Sequence, residues 1–167
     1  PSIMRLGIEQ SRNLMTARLA MQVGMPMVQD YAKRFGIDDN LPDYLSMSLG
    51  AGETTLLQMT AAYGMIVNGG RYIEPSMIDR VQDRYGQTIY RHDKRDCQGC
   101  QVLDVNTEDH LTPPALIDTR PRVTDANSAY QMVSMLEGVV RRGTARRMKD
   151  LPFPLAGKTG TTNDNTN

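Results

Sequence analysis

The sequence contains no tryptophan, two phenylalanines and two cysteines among its 167 residues. It also lacks an excess of either charge, because 19 basic residues balance 19 acidic ones. No net field therefore attracts the chain to nucleic acid or to an anionic membrane. Its apolar runs are only a few residues long, too short for a membrane-spanning helix. Neither a starting methionine nor an apolar leader is visible, so we expect any targeting or anchoring segment to lie outside this sequence.

The two cysteines, Cys97 and Cys100, are three positions apart in a polar, turn-rich segment. This spacing is compatible with a local disulfide, with free thiols or with half of a metal site. A zinc site would also need His92 and His110, the only histidines, and the resulting spacing is not a usual zinc framework. We favour the disulfide, with free thiols next and a metal site after them; a thioredoxin-like redox pair comes last, because no strand-to-helix junction surrounds the two cysteines.

The periodicity of the remaining chain predicts an α+β fold, because helices come first and strands later, without alternation between them. Residues 41–52 and 92–122 are predicted to be irregular. A final extended segment is predicted at 153–162. The predicted helices run from Ser11–Asn13 to Gly24, from Met25 to Gly36, from Thr54 or Thr55 to Asn68, and from Thr124 or Asp125 to Gly143, and the predicted β-hairpin joins 77–83 to 88–91.

Two further features have structural interpretations. The twelve methionines, many at helical spacing, are predicted to fill the core. A basic cluster formed by Arg141, Arg142, Arg146 and Arg147 is predicted to be a solvated helix end, where positive charge complements the helix dipole.

Two nucleotide-binding patterns fail on residue identity. Gly157-Lys158-Thr159 ends like a phosphate-binding loop, but that loop needs glycine at position 152, which is proline. Gly50-Ala51-Gly52 begins like a dinucleotide loop, but position 55 is threonine and no strand clearly precedes it. Neither segment predicts a nucleotide site.

Lys158-Thr159-Gly160 and Ser11-Arg12-Asn13 fit a different chemistry. They resemble two of the three motifs of penicillin-recognising acyl transferases, Ser-x-x-Lys, Ser-x-Asn and Lys-Thr-Gly. Their surroundings resemble class A penicillin-binding proteins over almost the whole chain and in the same order. The resemblance implies a fragment of the penicillin-binding transpeptidase and serine β-lactamase-like fold, a helical cluster with part of an antiparallel sheet. The similar segments are 9–14, 48–56, 61–64, 68–70, 143–145 and 156–164.

The resemblance implies catalytic roles for Ser11, Lys158 and Thr161. Ser11 would lie between two helices and relay a proton to the leaving nitrogen. Lys158 would lie on a strand bordering the cleft, where its charge favours the substrate carboxylate. The backbone N–H of Thr161 would contribute to the oxyanion hole. The alternatives are that Ser11 is only a helix N-cap and that Lys158 is a solvated lysine.

Substrate-binding roles are implied for Asn13, Thr159, Gly160 and Thr161. Asn13 would offer its amide to the stem peptide or to a β-lactam side chain, unless it is only a surface residue. Thr159 and Thr161 would donate hydroxyls to the substrate carboxylate. Gly160 would leave room for the acyl group beside the strand. Neither a metal nor an organic cofactor is implied.

The chain departs from the family pattern at the nucleophile, since none of its four lysines follows a serine by three positions. We therefore expect residues 1–167 to be a partial transpeptidase domain, truncated at both ends, inactive alone and poorly stable. The expected parent is a D,D-transpeptidase that cross-links peptidoglycan stem peptides ending in D-Ala-D-Ala and binds β-lactams. Class A members also carry a glycosyltransferase domain and a membrane anchor, which implies the periplasmic face of the inner membrane.

Two rival functions follow from the same residues. A β-lactamase or D,D-carboxypeptidase shares the motifs but hydrolyses its acyl-enzyme. A non-catalytic relative would keep the motifs as a binding or scaffolding surface. The segments at 48–53 and 143–145 favour the synthase.

Overall fold

The computed structural model describes residues 3–98 and 115–160. The chain divides into two compact units, Pro1–Ile73 with Arg122–Asn167, and Glu74–Pro121. In the first unit, two short 3-10 helices occupy Leu45–Leu49, within a segment predicted to be irregular, and Arg146–Met148. Its α-helices are α1 (Met4–Glu9), α2 (Asn13–Val23), α3 (Met25–Arg34), α4 (Leu56–Val67) and α5 (Ala126–Arg141).

Local signals in the sequence set the helix ends. Gly24 has a φ of 86° and separates α2 from α3, which has a proline in its first turn. Thr55 begins α4 through a capping box with Gln58. Asp125 caps α5 by accepting a hydrogen bond from the Ser128 backbone N–H. The predicted boundaries of these helices are confirmed.

The core of the first unit is small and lies where α4 and α5 meet. Met65 of α4 and Val139 of α5 are its fully buried large side chains, at 1% and 0% exposure. The end of α4 is joined to the start of α5 at Gly70, whose carbonyl accepts the Val123 N–H at 2.8 Å. Gly70 has a φ of 80°, and a Cβ there would overlap the carbonyl of Thr124, so glycine is needed.

The prediction that the methionines fill the core is confirmed fully only for Met65, since six of the twelve are exposed and five are half-buried. Of the exposed methionine side chains, five lie on helical elements and one, Met77, lies outside them. Methionine tolerates irregular contacts, so the residue type alone does not determine burial. The six exposed methionines are Met4, Met21, Met27, Met59, Met77 and Met148.

The second unit contains the predicted hairpin and a second strand pair. Strands β1 (Arg80–Gln82) and β2 (Thr88–Arg91) are antiparallel, with an irregularity after Val81, and β1 is shorter than predicted. Strands β3 (Cys97–Gln98) and β4 (Ala115–Leu116) are also antiparallel. The prediction of an irregular segment at 92–122 is therefore partly wrong, because two-residue strands are too short to show a period.

Charged side chains and a disulfide lie beside this second strand pair, and the Arg95 guanidinium also lies 3.8 Å from Asp118 on the other side. The Arg95 guanidinium lies 2.6 Å from one Asp93 carboxylate oxygen, and Arg120 lies 2.7 Å from Asp118. Hydrogen bonding from Arg95 holds the pKa of Asp93 well below its usual range. Cys97 is disulfide-bonded, which agrees with the favoured cysteine alternative, while Cys100 lies outside the described residues.

The segment that carries Lys158 is not a strand. Residues 154–160 have no regular secondary structure, because no strand among the described residues pairs with them. Their backbone is attached to α5 instead, where the Gly157 N–H donates to the Leu136 carbonyl at 3.3 Å. Within 3–98 and 115–160, no helix is both long and apolar enough to cross a bilayer.

Candidate active site

Ser11 lies in the tight connection between α1 and α2. Its φ is 52°, a left-handed backbone conformation that is uncommon outside glycine. The Ser11 N–H donates to the Ile8 carbonyl at 3.2 Å, and the Arg12 N–H donates to the Gly7 carbonyl at 2.8 Å. Helix α2 has Arg12 at its N-cap position without a side-chain capping bond, so the alternative that Ser11 caps this helix is wrong.

The side chain of Lys158 meets Ser11 across 147 positions of sequence. The Lys158 ammonium donates to the Ser11 hydroxyl oxygen at 2.7 Å and to the Thr159 carbonyl at 2.7 Å. Since Ser11 accepts this hydrogen bond, its own O–H remains able to donate to another group. Partial desolvation lowers the pKa of Lys158 below its usual value.

Thr159, whose backbone carbonyl accepts from the ammonium, carries a second hydroxyl. Its Oγ1 lies 2.6 Å from Oγ1 of Thr144, in the segment that follows α5. Gly160 is exposed, and a Cβ there would meet no described atom within 4 Å. The role expected for Gly160 therefore depends on where a bound substrate lies. Thr161 lies outside the described residues.

Asn13 is the first residue of α2 and is exposed. Together with Arg12 and Gly7 it lines an open groove of about 910 Å³ formed by α1 and α2. Asn13 follows Ser11 by two residues and therefore lies next to the connection between α1 and α2. Its role in substrate binding stays a prediction.

Sequence reasoning missed an ion pair next to this site, in which the carboxylate is buried and the arginine is exposed. Glu9, the last residue of α1, is 4% exposed. Its carboxylate accepts from the Arg142 Nε at 2.8 Å and from the Arg142 guanidinium NH2 at 2.5 Å, and Arg5 lies 3.5 Å away. Arg142 is exposed at the end of α5, as predicted for the basic cluster, but the prediction missed that its guanidinium also neutralises a buried carboxylate.

Two glycines allow Glu9 to approach α5. A Cβ on Gly138 would overlap the Glu9 carboxylate, and a Cβ on Gly143 would overlap the Glu9 carbonyl oxygen. These glycines are five positions apart near the end of α5. Glycines at such positions indicate that another element approaches the helix closely, and this was the one indication of the contact in the sequence. Nothing local in the sequence indicated which acidic side chain makes it.

The chain is similar to known proteins over almost its whole length. The family model described as "Penicillin binding protein transpeptidase domain" matches residues 2–167. The chain is 48% identical to a Penicillin-binding protein 1A of Rickettsia bellii, over 98% of this chain and 21% of that protein. It is 35% identical to a Penicillin-binding protein 1A of Neisseria meningitidis, over 97% of this chain and 18% of that protein.

A solved structure has the same fold. The crystal structure of Penicillin-Binding Protein 1A from Haemophilus influenzae superposes with a TM-score of 0.77 at 28% identity, over 98% of this chain and 27% of that one. The chain thus spans about a fifth of the length of the curated relatives named above.

Proposed function

This chain belongs to the penicillin-binding protein transpeptidase family, and we propose that it supplies the non-nucleophilic half of a serine D,D-transpeptidase site. One observation carries the proposal, the 2.7 Å contact between the Lys158 ammonium and the Ser11 hydroxyl. An ammonium in contact with one hydroxyl, with a second hydroxyl on the neighbouring residue, suits a substrate carboxylate and a proton relay.

The proposed reaction needs a serine from outside residues 1–167. That serine would attack the penultimate D-Ala carbonyl of a stem peptide, and backbone N–H donors, including that of Thr161, would stabilise the oxyanion. Ser11 would relay the proton that the attacking serine loses to the departing nitrogen, so that the C–N bond breaks and D-Ala leaves as a neutral amine. An amine of a neighbouring stem peptide would then take the acyl group and release the serine.

Lys158, Thr159 and Asn13 would hold the substrate during these steps. The Lys158 ammonium and the Thr159 hydroxyl would bind the terminal carboxylate, and Asn13 would bind the peptide further along. A β-lactam carries an equivalent carboxylate and would acylate the same serine. Without that serine, the 167-residue chain would form no acyl-enzyme.

The relatives' greater length supports a larger parent protein. We propose that this parent also contains a peptidoglycan glycosyltransferase domain and a membrane anchor, which would place the site at the periplasmic face of the inner membrane. The disulfide at Cys97 suits such an oxidising compartment.

Covalent labelling with a fluorescent penicillin tests the proposal. The intact parent should be labelled, and peptide mapping should locate the adduct on a serine outside residues 1–167. The chain alone, at the same concentration, should stay unlabelled. A long-lived adduct supports a transpeptidase, whereas rapid release of penicilloate supports a hydrolase.

Two results would contradict the proposal. One is an adduct on any residue of the 167-residue chain. The other is an intact, cooperatively folded parent that no penicillin labels, as expected for a scaffold without catalysis.

A further inference from the structure

Thr144 has no role in the proposed function, yet its two polar groups connect the two sides of the site. Its backbone N–H donates to the Glu9 carbonyl at 3.1 Å, and its hydroxyl lies 2.6 Å from the Thr159 hydroxyl. Glu9 precedes Ser11 by two residues, and Thr159 follows Lys158. The contact between Lys158 and Ser11 closes these connections into a ring.

The Thr144 side of this ring is firmly held. Glu9 is buried against Arg142, and both Gly143 and Ala145 donate their backbone N–H to the Val139 carbonyl, at 3.1 and 3.0 Å. The backbone of Thr144 is therefore attached to the end of α5 and to the end of α1 together.

The Thr159 side is held much less. Thr159 is exposed and lies in the 154–160 segment, which has no regular secondary structure. A backbone with few hydrogen bonds samples more conformations than one in a helix or strand. The hydroxyl of Thr144 is thus a fixed reference point against which the Thr159 side chain is aligned.

From this geometry we propose that Thr144 is a positioning residue that orients the Thr159 hydroxyl towards the substrate carboxylate. This inference rests on the proposed function of Lys158 and Thr159. A hydroxyl donates one hydrogen bond and accepts two. When Thr144 donates to Thr159, the Thr159 proton stays available for the carboxylate, and the chain of hydrogen bonds strengthens each member.

The test compares two ligands on the intact parent protein, benzylpenicillin and its methyl ester, which lacks the free carboxylate. Thr144→Val keeps the shape and the backbone N–H but removes the hydroxyl. We expect it to slow acylation by benzylpenicillin about three- to tenfold, the range of one hydrogen bond. Acylation by the ester should change less than about twofold, because no carboxylate is there to be oriented. Thr144→Ser should restore most of the loss.

A matched control is Thr60→Val, which removes another exposed threonine hydroxyl, one bonded to its own helix at 2.7 Å. It should leave both acylation rates unchanged. If Thr144→Val melts below the assay temperature, Thr144→Ala replaces it, since it also removes the hydroxyl but introduces no new apolar branch.

A double-mutant cycle with Thr159→Val provides the second measurement. If Thr144 acts through Thr159, the double variant should be no slower than Thr159→Val alone. Losses that multiply, equal slowing of both ligands, or no slowing by Thr144→Val would each overturn the inference. A wild-type parent that neither ligand acylates would instead refute the proposed function, so the two failures are distinguishable.

Discussion

Removing either partner of the Glu9–Arg142 pair should have unequal effects on stability, because the two side chains are buried to different degrees. The Glu9 side chain is 5% exposed and the Arg142 side chain 54%. Among the residues that the structure describes, Arg142→Met would leave the buried Glu9 carboxylate with Arg5 as its one cationic partner, 3.5 Å away. Leaving a buried charge without its partner lowers the free energy of unfolding by about 3–5 kcal/mol. We expect a value of about 3 kcal/mol, because Arg5 still interacts with the carboxylate.

The reverse change should cost less. Glu9→Gln leaves a guanidinium that water can hydrate, and the amide oxygen still accepts one hydrogen bond. The free energy of unfolding should then fall by about 1 kcal/mol, the difference in strength between a charged and a neutral hydrogen bond. In the double variant no buried charge remains, so its cost should fall short of the sum of the single costs by about 1 kcal/mol or more.

Urea denaturation of the complete transpeptidase domain, followed by circular dichroism, measures these free energies of unfolding. Glu137→Gln is the control, because it disrupts an exposed pair with Arg141 at 3.5 Å and should change stability by less than about 0.5 kcal/mol. Equal costs for the two single variants, or a larger cost for Glu9→Gln, would refute the assignment of Glu9 as the buried partner.

Three further predictions follow from the same structure. Gly143→Ala should destabilise the domain by about 1–3 kcal/mol through overlap with the Glu9 carbonyl. Gly157→Ala should be neutral in the same denaturation assay, because its new Cβ meets no described atom within 4 Å. Thr55→Ala should cost about 1 kcal/mol by removing the capping box of α4, and an unchanged urea midpoint would contradict it. The rate of acylation by benzylpenicillin should fall as the pH rises, because deprotonation of Lys158 removes its charge. The midpoint should lie below the usual lysine pKa of 10.5, since desolvation lowers the pKa of Lys158. Lys158→Arg should abolish this fall, because arginine stays charged over this pH range.

Features determined by short stretches of sequence were predictable. Thr55, Asp125 and Gly24 act on their own helix ends within a few residues, so their patterns predicted the helix boundaries. Strands β3 and β4 were missed because each is two residues long. Burial of the methionines was mispredicted because helical spacing identifies an apolar face but not what covers it.

Contacts between distant residues were predictable only through the family resemblance. Ser11 and Lys158 are 147 positions apart, and only their similarity to known motifs indicated that they meet. Glu9 and Arg142 are 133 positions apart and belong to no such motif, so neither charge pattern nor spacing revealed them. Thr144 was noted only as part of a family-like segment, and its contact with Thr159 required coordinates.

The rate of acylation by benzylpenicillin in the intact parent protein most directly tests whether Ser11 and Lys158 act as one unit. We predict that Ser11→Ala and Lys158→Ala each slow acylation by at least about 100-fold, as expected for groups that transfer protons and bind the reacting ligand. The double variant should be about as slow as the slower single variant, since residues that act together are not additive. Single variants within about threefold of the wild type, or losses that multiply in the double variant, would contradict the account.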